Sequence, residues 1–177
     1  MSPPYPRDAG AAPAAPLAVR QAAPGDIPLI LQLIRELAAY ERLLGDVEAT
    51  EDGLRRTLFP GDGSPAAASV LVGEIGGTAA GFAVYFFNYS TFLARPGLYL
   101  EDLFVRPQSR GKGLGRALLL HLAGLAADRG CGRMEWAVLD WNAPAIEFYR
   151  SLGAAPLDDW TVFRLTGGAL RAKQKPV

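Results

Sequence analysis

An α/β (α+β) domain, a mixed sheet with helices on both faces, is the fold class that this 177-residue chain predicts. Three observations carry that expectation. Segments of strand period and of helix period interleave along the chain. Half of the residues are hydrophobic, enough for one substantial core with no second domain required. A glycine-rich turn joins a strand directly to a helix in LYLEDLFVRPQSRGKGLGRALLL, residues 98–120.

Residues 1–16 are rich in Pro and Ala, lack the apolar core of a secretion signal, and read as a disordered arm. One domain is expected over 17–167, with a flexible tail at 168–177. LAVRQA (17–22) is a short strand closed by the Pro24-Gly25 turn. Asp26 then caps a helix whose apolar residues at 27, 30, 31, 34, 37 and 38 share one face; it ends around 40–44, before Gly45. Thr50, with Glu51 and Asp52 in the first turn, starts a shorter helix that stops by Pro60. VLVGEI (70–75) and GFAVYFFNY (81–89) flank a Gly76-Gly77 turn as an antiparallel hairpin with one face to solvent. After the strand at 98–105 come a helix over 114–128, closed by Gly130, and the strand MEWAVL, 134–139. A further helix has Asn142 at its entrance, Pro144 in its first turn and Gly153 at its stop. WTVFRL, 160–165, is the expected last strand.

The strand–turn–helix segment carries the chemistry. Residues 98–105 are apolar and aromatic apart from Glu101 and Asp102, so two carboxylates sit in an otherwise buried strand. Strict alternation puts Asp102 on the opposite side from Glu101, in a structural role. Gly111, Gly113 and Gly115 strip side chains from the turn, so that backbone N–H groups can face phosphate oxygens at the positive end of the following helix. Arg110 and Lys112 add charge there. Two familiar phosphate loops fail on spacing: GxGxxG starting at Gly111 needs a glycine where Arg116 stands, and a P-loop needs Gly-Lys-Ser/Thr.

Composition narrows the classes. Eighteen basic residues balance eighteen acidic ones, so no global field draws the chain to nucleic acid or to an anionic membrane. The single Cys131 forms no internal disulfide and no His/Cys cluster suggests a metal; a reducing compartment, by default the cytoplasm, is expected. No apolar run reaches membrane-spanning length. His121 reads as a surface histidine and Cys131 as a buried thiol without a role.

What the glycine turn does fit is Arg/Gln-x-x-Gly-x-Gly/Ala, met by Arg110, Gly113 and Gly115, and in this it resembles the acyl-CoA pyrophosphate loop of the GNAT N-acetyltransferases. The likeness extends from about Val19 to Leu165. Tyr40-Glu41, LYLED at 98–102, RGKGLG at 110–115, DWN at 140–142 and FYRSLGA at 148–154 resemble the diamine and thialysine (spermidine/spermine-type) N-acetyltransferases, with AVLDWN nearer the thialysine branch. Phe92 departs from that pattern, where tryptophan stands. The resemblance implies a mostly antiparallel sheet, acetyl-CoA as co-substrate, no metal, a small-molecule amine as acceptor and a homodimer.

It also implies roles. A lysine-like amine with a pKa of about 10.4 is neutral in only about one molecule in a few thousand at pH 7, so it must lose a proton before it attacks a thioester. Glu101 resembles the family glutamate that takes this proton; its plainer alternative is a carboxylate satisfied by backbone donors. Tyr149 resembles the acid that protonates the departing thiolate, with Phe148 beside it as a core aromatic. Leu103, Phe104 and Val105 would pair with the pantetheine arm as a pseudo-strand, and Arg110, Gly111, Lys112, Gly113, Leu114, Gly115 and Arg116 would hold the diphosphate. Asn142 and Pro144 resemble residues on the cofactor's far wall, although Asn142 also suits a helix cap. Tyr40 and Glu41, with Glu101, match positions that contact the amine. Asp46, Glu48, Glu51 and Asp52 either extend an acidic wall or are a solvated surface. The other readings left open are a protein-lysine or aminoglycoside-type acetyltransferase and a CoA-binding regulatory module without turnover.

Overall fold

The computed structural model describes residues 15–171, and the side chains of 15–170. The expected arm lies almost wholly outside these residues, as does most of the expected tail. Two compact units succeed one another in the chain, divided between Ala137 and Val138.

The first unit is a five-stranded sheet in the order β1-β2-β3-β4-β5. Its strands are β1 (Leu17–Gln21), β2 (Ser69–Ile75), β3 (Thr78–Ser90), β4 (Arg95–Val105) and β5 (Met134–Trp136). Neighbours are antiparallel except β4 and β5, which run parallel. The Gly76-Gly77 turn has both residues at positive φ, which lets a two-residue turn match the twist of its strands; β3 consequently begins at Thr78, three residues earlier than its apolar run suggested.

Helix α1 (Ile27–Tyr40) and helix α2 (Glu51–Leu58) precede the hairpin, and α3 (Leu114–Asp128) connects β4 to β5. Ile30, Leu33 and Leu37 of α1 pack on Val70, Val72, Phe82 and Phe104, with Leu54 and Leu58 of α2 against the same cluster. Leu71 and Gly73 alternate with Val70 and Val72 and so face the other way. There α3 covers the sheet: a Cβ added at Gly73 would lie 3.0 Å from Cδ1 of Leu114 and 3.2 Å from Cδ1 of Leu118. Helices on both faces explain why residues 70–73 of β2 are all buried, where the hairpin was expected to leave one face in water.

Several local expectations change. Asp26 precedes α1 but does not cap it with its side chain. Its carboxylate accepts instead from the Ala23 N–H and from Arg20, whose Nε also donates to Glu74, tying the turn to β1 and β2. Thr50 does cap α2, accepting from the Gly53 N–H at 3.1 Å. Strand β5 stops at Trp136, not Leu139: the parallel ladder ends at Leu100↔Trp136, where β4 continues but leaves regular register at the bulge.

The second unit holds α4 (Ala143–Ser151) and α5 (Gly167–Arg171). WTVFRL at 160–165 is not a strand. Trp160, Val162, Phe163 and Leu165 are exposed, Phe163 at 92%, and no strand among the described residues pairs with the segment. Alternating β-branched and aromatic residues create a preference for extended chain; only a ladder partner turns that preference into a strand. No helix among the described residues is long and apolar enough to cross a membrane.

Candidate active site

The end of α1 is set by its backbone. Arg42 takes φ +64°, and the Leu43 N–H donates to the Ala38 carbonyl at 2.8 Å, an arrangement that satisfies the last turn and stops the helix. Tyr40 and Glu41 are thereby held at the C-terminal rim of α1, both half-buried. The same helix is pinned to the far end of β4 by Arg106, whose Nε and Nη2 donate to Glu36 at 2.7 and 2.9 Å and whose Nη1 donates to the Ala79 carbonyl. That guanidinium holds the Glu36 carboxyl below its ordinary range.

Strand β4 carries a bulge where the chemistry was expected. Val84 pairs with Asp102, but the next residue, Tyr85, pairs with Leu100, so Glu101 is the extra residue. Alternation counted forward from Leu100 puts Glu101 on the face covered by α1. Alternation counted back from Phe104, which packs in the α1 cluster, puts Asp102 on that face too. The expectation that these acids point to opposite sides therefore fails: an inserted residue cancels the period-two rule at that step.

Burial separates the two acids. Glu101 is exposed, not buried as a strand interior suggested, and Asp102 is half-buried. Burial, reinforced by the negative charges of Glu101 and Glu41, pushes the Asp102 carboxyl up to about 6. Burial also raises the Glu41 carboxyl. Asp102 is the residue that sequence reasoning set aside; its only sequence signal was the pairing of adjacent acids in an apolar strand.

Beyond the bulge, β4 stays bonded to β3 through Leu103, Phe104 and Val105. On its other edge, β5 pairs only with Leu98, Tyr99 and Leu100. Residues 103–105 thus present an edge that no strand among the described residues covers. After a short turn at Pro107–Ser109 the chain passes Arg110 and reaches Gly111 (φ +74°) and Gly113 (φ +86°). Gly113 begins α3, and no side chain caps it. The first-turn N–H groups of a 15-residue helix therefore point out of its positive end. A Cβ at Gly111 would meet nothing within 4 Å, so the approach to the turn is open. This uncovered edge followed by an uncapped helix start fits the pantetheine arm and diphosphate of an acyl-CoA.

Arg110 behaves differently from its neighbours in the loop. Its Nε donates to the Val105 carbonyl at 3.0 Å, and its guanidinium carbon lies 4.4 Å from the centre of the Tyr40 ring. Lys112 and Arg116 are exposed, as are Asp46, Glu48, Glu51 and Asp52; the last two occupy the first turn of α2, where their charge complements the helix dipole. An open groove lined by Gln32, Arg35, Glu36, Leu44 and Glu51 includes none of Tyr40, Glu41, Glu101 and Asp102.

In the second unit, Asn142 sits at the start of α4 and accepts from the Ala145 N–H, Pro144 lies in the first turn, and Tyr149 stands on the same helix beside Phe148, their ring centres 5.3 Å apart. The cap reading of Asn142 is thus realised. His121 is exposed, and Cys131 is half-buried rather than fully enclosed.

Comparison with known proteins points the same way. The model of the acetyltransferase (GNAT) family matches residues 32–154. A thialysine N-epsilon-acetyltransferase of Bos taurus is 40% identical over 164 residues, covering 86% of this chain and 94% of the relative. An L-ornithine N5-acetyltransferase of Arabidopsis thaliana is 36% identical over 201 residues, covering 89% and 87%. Among solved structures, an integron cassette protein from the mobile metagenome of V. cholerae is similar with a TM-score of 0.72 at 26% identity, covering 88% of this chain and 95% of that one.

Proposed function

Because the chain belongs to the acetyltransferase (GNAT) family and is an N-acetyltransferase, we propose that it moves an acetyl group from acetyl-CoA to the terminal primary amine of a small molecule by direct transfer. The acceptor class is a lysine-like amino acid, a diamine or a polyamine. Relatives named for thialysine and for L-ornithine favour the amino acids, since each of those carries an amine at the end of a side chain.

One observation carries this reading: a bulged carboxylate, an unpaired strand edge and an uncapped helix start follow one another on a single run of chain, from Glu101 along 103–105 to the start of α3, in the order in which a proton acceptor, a thioester lane and an anion cradle are needed. Acetyl-CoA, when bound, supplies the activated acetyl thioester. Backbone groups of Leu103, Phe104 and Val105 align the arm, and Gly111, Lys112, Gly113, Leu114, Gly115 and Arg116 hold the diphosphate, Lys112 and Arg116 adding charge. Asn142 and Pro144 contribute further cofactor contacts. Tyr40, Glu41 and Glu101 receive the ammonium group, whose charge is complemented by Asp102 beside them. Glu101 takes the proton, directly or through water, the nitrogen attacks the acetyl carbon, and the C–S bond breaks. Tyr149 gives a proton to the departing sulfur, and the second proton that the nitrogen loses as the amide forms restores the phenol.

Thiol release from acetyl-CoA, measured with thialysine, ornithine, lysine, diamines, polyamines and a lysine-containing peptide, tests the assignment. Turnover with the small amines, highest for the amino acids, is expected. Turnover with the peptide alone would replace this reading by protein-lysine acetylation.

A further inference from the structure

Arg110 stands at the mouth of the diphosphate cradle, where its charge suggests a phosphate contact, yet its side chain turns back to the sheet. The Nε–H is spent on the Val105 carbonyl at 3.0 Å. The guanidinium then lies over two rings, 4.4 Å from the centre of Tyr40 and 6.0 Å from that of Phe104, and those rings are themselves 6.5 Å apart at 48°. A hydrogen bond on one side and a cation–π contact on the other hold the planar group in place. Tyr40 is the last residue of α1, where a helix frays most readily, and Glu41 follows it.

We propose that Arg110 is a positioning residue of the acceptor wall: it clamps Tyr40, and with it the end of α1 that carries Glu41, against β4. The inference rests on the N-acetyltransferase reading of this site. It makes one short segment serve both substrates, since the backbone after Arg110 forms the diphosphate cradle while the Arg110 side chain fixes the surface met by the amine. Arginine suits this task better than lysine. Its fork gives one N–H to Val105 while its flat face stacks on an aromatic ring, and it keeps its charge at every working pH; an ammonium group is a compact point charge that cannot do both.

Steady-state kinetics with the best amine of the panel, together with calorimetric titration of acetyl-CoA, read the proposal. Arg110→Gln removes the cation from over the Tyr40 ring, leaving an amide that can still donate to the Val105 carbonyl, and is expected to raise KM for the amine by about tenfold or more, with a smaller change in kcat, because an acceptor held out of line is bound less well. Its Kd for acetyl-CoA is expected to stay within about threefold of wild type. Arg110→Lys, which keeps the charge, should recover part of the loss. Tyr40→Leu should reproduce the defect, and the Arg110→Gln/Tyr40→Leu protein should be scarcely worse than either single variant, since the two residues act as one unit. A tenfold weaker acetyl-CoA affinity in Arg110→Gln with an unchanged amine KM would overturn the proposal and make Arg110 a phosphate ligand. Simple additivity in the double variant would overturn it as well. Wild-type protein that releases no thiol with any acceptor removes the acetyltransfer reading itself, a result distinct from either.

Discussion

At the scale of single residues, variants separate the two proposed roles, Glu101 as proton acceptor and Tyr149 as proton donor. Tyr149→Phe deletes only a hydroxyl, so acetyl-CoA affinity should survive while kcat falls by about 10² or more, the contribution expected of a general acid; single-turnover rates alongside calorimetry check this. Glu101→Gln should lower kcat/KM for the amine most near neutral pH and recover partly as pH rises and free amine becomes more abundant. A deficit that does not change with pH would make Glu101 a residue that orients the amine and not its base. Asp102 yields a stability prediction. Its carboxyl is raised from 3.8 to about 6 in the folded protein, so the folded state holds a proton that the unfolded chain releases more readily. The stabilisation from that proton is complete below about pH 4 and is lost as pH rises through about 6. Asp102→Asn should therefore stabilise the protein by up to about 3 kcal/mol at pH 7.5 and by little at pH 3.5, as read by urea denaturation at the two pH values.

At the scale of elements, the proposed cradle depends on the close seating of α3 on the sheet. Glycine at position 73 makes the seat: any Cβ there would press on Leu114 and Leu118, the residues that begin the buried face of α3. Gly73→Val is expected to cost about 1–3 kcal/mol of stability through overpacking. Because Leu114 is the first residue of the helix whose N–H groups are proposed to hold the diphosphate, the same variant should weaken acetyl-CoA binding. Denaturant unfolding and calorimetry on one preparation test both effects; a destabilised protein with unchanged acetyl-CoA affinity would show that the cradle is set by the loop glycines alone. The bulge in β4 works at this scale too. By ending the parallel ladder at Leu100 it frees residues 103–105 along one edge, and by inserting Glu101 it brings two carboxylates to the face where α1 delivers Tyr40 and Glu41.

At the scale of the whole molecule, binding of acetyl-CoA is read in the stability of the folded chain. A ligand that binds only the folded chain stabilises it by mass action, about 2.7 kcal/mol at a hundredfold excess over Kd. For a chain of this size that corresponds to a rise in Tm of about 5–10 °C on adding acetyl-CoA, measurable by differential scanning calorimetry. The rise should shrink at the same acetyl-CoA concentration in Gly113→Val, because a β-branched residue strains a φ of +86° and places bulk where the backbone meets the ligand. An equal rise in that variant would sink the cradle assignment. Assembly is a proposal at this scale: a two-fold homodimer is expected, and sedimentation velocity at micromolar concentration showing only monomer would overturn it.

What could be read from the chain alone was what depends on neighbours in sequence. Helical spacing located α1, caps and glycine or proline stops located α2, α3 and α4, the Gly76-Gly77 turn located the hairpin, and the run from Leu98 to Leu120 identified a strand feeding a glycine-rich helix start together with the family likeness. Each of these rests on propensity, capping or glycine conformation, which act over a few residues. The register of β4 against β3 was not legible, because a bulge is decided by which residues pair across two strands; hence Asp102 was assigned to the wrong face. The length of β5 and the unpaired state of 160–165 were equally illegible, since a strand exists only with a partner that distant sequence supplies. The clamp of Arg110 on Tyr40 joins residues seventy positions apart, so only the packing of α1 against β4 could show that a residue of the phosphate loop also shapes the acceptor wall.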